Sequence, residues 1–90
     1  MASVRDLKKD INYVFGDIID AAGLWEITHS DKDTKKSEEI IEKAIEAFDE
    51  LRAKVNQKAV ANKKSHFKAI RAELYERAQN LVDQVNSLYD

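Results

Sequence analysis

No cysteine, no proline and only two glycines in ninety residues rule out most architectures at the start. A disulfide framework, a thiol nucleophile, a zinc knuckle and an iron–sulfur site all need cysteine, and a many-stranded β fold needs more turn-formers than these. The chain is 43% hydrophobic and 36% charged, a globular balance, and its formal charge of −2 exerts no overall pull toward nucleic acid or anionic lipid.

Ser3 followed by Asp6 resembles a capping box with Asp in place of Glu. Val4, Leu7, Ile11, Val14, Ile18, Ala21 and Trp25 then recur at steps of three and four. This predicts a first helix over 4–28, roughly 38 Å long at 1.5 Å per residue. At about 100° per residue, Phe15 and Ala22 join the same buried arc. Tyr13, Leu24 and Ile27 fall on the other side, near Gly16 and Gly23. An interior glycine costs a helix about 1 kcal/mol relative to alanine, so the pair suggests close approach by another helix. Tyr13, Gly16, Gly23, Leu24 and Ile27 are therefore the candidate interface of an isologous homodimer. The competing reading makes this helix central to its own bundle, with Leu24 and Ile27 covered by the following turn.

The connection that follows, HSDKDTKKSEEIIE (residues 29–42), invites comparison with a calcium loop. Counted from Asp31, the first, third and twelfth positions are Asp31, Asp33 and Glu42, the acids an EF-hand requires. The fifth is Lys35 and the sixth is Lys36 where glycine should bend the chain, so two cations occupy a cation site. Turn and cap chemistry explains the same residues better: Ser30, Asp31, Asp33 and Thr34 favour turns and N-caps, and Ser37, Glu38 and Glu39 favour a first helical turn. No metal is expected.

A second helix is predicted over 34–60, with Ile41, Ala44, Ile45, Phe48, Leu51 and Val55 on its buried face and Ala59 continuing it. A third, over 64–89, carries Phe67, Ile70, Leu74, Ala78, Leu81, Val85 and Leu88. Three helices of similar length with short connections pack most simply as an all-α, antiparallel up-down-up bundle in a single domain, 1–90. The N-terminus is charged from residue 5 and lacks a secretion signal's apolar run, and no stretch approaches the roughly 20 apolar residues of a membrane span. A cytoplasmic location and no membrane association follow as expectations.

Catalytic constellations are weak. Asp6 with Asp10, Asp17 with Asp20 and Glu42 with Glu46 each share a helix face. A filled three-helix core leaves little room for the pocket that would tune such a pair. His29 and His66, the only histidines, fall near opposite ends of the bundle, and the five serines sit in turn, cap or helix-end contexts with no nucleophile motif. No enzyme activity and no cofactor are expected.

The stretch from Arg52 to Arg71 is more informative, with seven lysines and arginines and no acid. Lys54, Lys58, Lys63, Lys64, Lys68 and Arg71 would form a basic corner between the second and third helices. Asn56, Gln57, Asn62 and Ser65 are hydrogen-bonding companions for a phosphate. No recognition helix or base-stacking array accompanies them, so nucleic acid ranks below a protein partner or a second copy.

VRDLKKDINYVFGDIIDAAGLWE, residues 4–26, resembles the N-terminal half of a small all-helical bacterial protein family with no assigned activity. The resemblance implies a helical fold and no site residues. The reading is a non-catalytic interaction or structural module, homodimeric through the first helix, with anion or nucleic-acid binding at the basic corner as the alternative.

Overall fold

The computed structural model describes residues 4–29 and 31–89 and turns the three apolar stripes into three helices: α1 (Val4–Thr28), α2 (Lys35–Val55) and α3 (Lys63–Tyr89). Ser3 and Ser30, which the sequence assigned to a cap and a turn, lie outside the described residues. The direction of each helix follows from its cross-links. Trp25 Nε1 donates to the Leu88 carbonyl at 2.9 Å and Arg71 pairs with Asp10 at 3.0 Å, so α1 and α3 run parallel. Ser37 bonds Glu26 and Lys54 pairs with Glu73, so α2 runs against both. All three helix pairs are in contact, α1 and α2 most extensively. The bundle is a rod of 51 × 19 × 17 Å. Its radius of gyration is 14.8 Å, where a compact domain of this length has about 12 Å.

Leu7, Ile11, Phe15, Ile18, Ala22 and Trp25 of α1 and Ile70, Leu74, Leu81 and Val85 of α3 are buried along the stripes that the spacing predicts, while the predicted Val14, Ala21, Phe67, Ala78 and Leu88 are only partly buried. Val4 departs further: the helix begins beyond the core, and this side chain is exposed. The larger correction concerns α2. Its buried residues are Ser37, Ile40, Ala44, Ala47, Leu51 and Val55. The predicted Ile41 and Phe48 lie only partly buried at the flank, and Ile45 is 47% exposed. The face is rotated because α2 must pack on two helices at once. The small Ser37, Ala44 and Ala47 alternate along this face with the larger Ile40, Leu51 and Val55, so that the helices approach closely at the small residues. α2 also ends at Val55 rather than residue 60, so Ala59 lies in the connection and is exposed. Asn56 closes the helix by donating its backbone N–H to the Arg52 carbonyl.

Neither connection uses glycine, and among the described residues no backbone adopts positive φ. Asp33 Oδ1 accepts the Lys35 amide at 3.0 Å, capping α2 as the turn reading requires, while Thr34 makes no side-chain cap. Asn62 Oδ1 accepts the Ser65 amide at 3.1 Å and does the same for α3. The two connections mark two poles. One gathers the end of α1, the start of α2 and the end of α3. The other gathers the start of α1, the end of α2 and the start of α3.

Candidate functional site

Among the described residues Ser37 is the only polar side chain in the buried set, and every buried side-chain nitrogen or oxygen has a hydrogen-bond partner. Ser37 Oγ donates to the Glu26 carboxylate at 2.6 Å and lies 2.8 Å from the Thr34 carbonyl, fastening the first turn of α2 to α1. Two depressions lie between α2 and α3. One is lined by Lys43, Glu46, Glu50 and Arg77 over Ala47 and Leu81, the other by Lys54, Gln57, His66 and Glu73 over Ile70. Both open broadly to solvent, and in each the lysine or arginine stands beside a carboxylate. Among the described residues no cluster of His, Asp and Glu could hold a metal ion, and no helix is long and apolar enough to cross a membrane.

The outer face of α1 is the first candidate surface. Tyr13, Leu24 and Ile27 are 61%, 56% and 76% exposed, so the following turn does not cover them. Gly16 and Gly23 lie on the same side of the helix, and a Cβ built at either would meet nothing within 4 Å. Nothing inside the monomer therefore requires glycine at these positions. Lys9 stands over the Tyr13 ring at 5.9 Å, and the exposed Asp17 and Asp20 lie between the glycines.

The basic corner is the second, and the fold divides its six predicted residues. Lys54 Nζ pairs with Glu73 at 2.8 Å and Arg71 with Asp10 at 3.0 Å. Hydrogen bonds from Arg71 to Tyr75 and then to Asp10 raise the guanidinium pKa above its ordinary value, so this group is a fixed cation. Lys58, Lys63, Lys64 and Lys68 are exposed and enter no ion pair among the described residues. The sequence does not rank the six, because Glu73 and Asp10 meet Lys54 and Arg71 only through tertiary packing. His66 is the residue that reading passed over at this corner. Its Nε2 lies 2.7 Å from the Lys54 carbonyl and donates to it, tying α3 to the last turn of α2.

The comparisons with known proteins return nothing: no family model, curated protein or solved structure matches the chain.

Proposed function

We propose that this protein is a non-catalytic association module whose docking surface is the outer face of α1 and whose partner is a second copy of the chain. One observation carries the reading: two glycines in a helix interior, each costing about 1 kcal/mol relative to alanine, with open space where a side chain would stand. The monomer gains no packing from them. A helix laid across this face would gain close approach, and Tyr13, Leu24 and Ile27 supply exposed apolar surface beside it.

Charge selects the register. In an antiparallel helix pair, residues oppose one another when their numbers share a sum. A two-fold axis between Tyr13 and Gly16 sets each Tyr13 ring against the partner's Gly16 and each Lys9 against the partner's Asp20. The same arrangement lays Arg5 over Leu24, whose apolar surface the arginine methylenes can cover. A register that matched Tyr13 to Ile27 would instead bring two Asp20 carboxylates together on the axis, and like charges oppose it.

Light scattering at micromolar concentration tests the reading, with a dimer expected for the native chain. Gly16→Ala with Gly23→Ala should raise the melting temperature, because alanine favours helix, and yield a monomer, because the methyl groups occupy the approach. Lys9→Asp or Asp20→Lys alone should weaken the dimer, and the two together should restore it. A native monomer across the range, or a dimer indifferent to the alanines, would falsify the proposal.

A further inference from the structure

We propose that the cationic pole is a binding surface for the phosphodiester backbone of nucleic acid, engaged without regard to base sequence. The charge distribution is segregated, not generally basic. Residues 52–71 hold seven lysines and arginines and no acid, while the rest of the chain holds eight against all seventeen acids. The formal charge is −2, so this concentration is no by-product of a basic protein.

The fold sorts the seven. Arg71 and Lys54 hold α3 against its neighbours, and in doing so they neutralise Asp10 and Glu73, two carboxylates at the border of the patch. Arg52 lies over the Phe48 ring at 5.3 Å. That leaves Lys58 on the connection and Lys63, Lys64 and Lys68 on α3 facing solvent. The start of α1, with Arg5, Asp6 and Lys8, borders them at the same pole. With Glu73 and Asp10 each paired to a cation and no acid between residues 52 and 71, the field at the tip is set mainly by the exposed lysines.

Stability does not account for where two of these lysines stand. α1 carries Asp6 and α2 carries Glu38 in the first turn, where an acid complements the positive end of the helix dipole. The first turn of α3 has no acid, and Lys63 and Lys64 open the helix. α2 also opens with two lysines, Lys35 and Lys36, but Glu38 offsets them within the turn; at Lys63 and Lys64 no acid does, so these cations oppose the helix's own field, and a local choice that works against the fold marks a surface kept for another purpose. The exposed Asn56 and Gln57 add hydrogen-bond donors beside the lysines.

The neighbouring side chains favour a phosphate backbone over a lipid surface or unstacked bases. The connection offers Ala59, Val60 and Ala61, not the Trp, Phe or Leu that anchors a basic segment in a bilayer interface. The rings at this pole, His66 and Phe67, are partly buried against the bundle and give no stacking platform.

Fluorescence anisotropy of a short labelled duplex of arbitrary sequence, titrated with the full chain at low salt, tests the inference. Four lysines neutralising phosphates give a log–log salt slope of about −3 to −4, a loss of roughly a hundredfold between 50 and 200 mM salt. Lys63→Glu with Lys64→Glu should weaken binding at least about tenfold and flatten the slope by about two. Lys35→Glu with Lys36→Glu makes the same charge change in the first turn of α2, at the other pole, and should leave affinity within about twofold. Both double variants place acids at a helix start, which favours folding, so unfolding cannot mimic the expected loss. Three outcomes would overturn the inference: no binding at low salt, equal loss in the two variants, or tighter binding to phosphatidylserine vesicles than to the duplex.

Discussion

The two poles of the bundle are fastened by different chemistry. At the pole where α1 and α3 end, the ties among the described residues are directional and involve no ion pair, the one charged partner being the Glu26 carboxylate that accepts from Ser37. Trp25 donates to the Leu88 carbonyl at 2.9 Å, Tyr89 donates to the Ala21 carbonyl at 2.9 Å, and His29 stacks on the indole with ring centroids 4.7 Å apart. At the pole where α1 and α3 begin, the ties are charged and partly solvated: Arg71 to Asp10 and Lys54 to Glu73, with His66 on the end of α2. Hydrogen bonds between neutral groups are little affected by salt, whereas exposed ion pairs are screened. Similar apolar spacing in the helices thus supports one end whose cohesion is little affected by salt and another whose cohesion depends on ionic strength.

Breaking the neutral end should produce the largest effect. Trp25→Ala removes a buried indole together with its bond to α3 and should cost about 3–5 kcal/mol. Urea unfolding followed by circular dichroism measures the loss, and amide exchange should accelerate first over residues 85–89. Ser37→Ala should cost about 1–2 kcal/mol, since the hydroxyl meets a carboxylate that can partly rehydrate, and the same urea titration reads it. Arg71→Gln, at the charged end, should cost below about 1 kcal/mol at low salt and nearly nothing in 1 M salt, as expected of a partly exposed pair. Equal salt sensitivity in the Ser37 and Arg71 variants would erase the distinction between the poles.

Much of the fold is legible in the chain, and the places where it is not share a cause. α1 runs over the predicted span because a polar first turn and a long unbroken stripe specify it. α2 misleads because bulk is an unsafe sign of burial where helices approach closely. Ile45 faces solvent while Ala47 and Ser37 are enclosed, a choice made by how near the neighbouring helices approach. Its end was overrun because Asn56 and Gln57 stop a helix less visibly than glycine or proline would. The exposure of Tyr13, Leu24 and Ile27 was legible, since position on a helix wheel is local information. The pairing of Lys54 and Arg71 was not, because Glu73 and Asp10 lie 19 and 61 residues away along the chain. Ser37 stayed hidden for the same reason, as its carboxylate partner stands across the connection on α1.

The chain contains one tryptophan, and it sits at one end of a rod 51 Å long. Indole emission therefore reports the surroundings of Leu88 and His29 and carries no direct signal from the lysine-rich tip. A melt followed by that emission is a local thermometer, while far-ultraviolet dichroism averages over all three helices. Comparing the two curves separates fraying at either end from collapse of the whole, with no label attached to the protein.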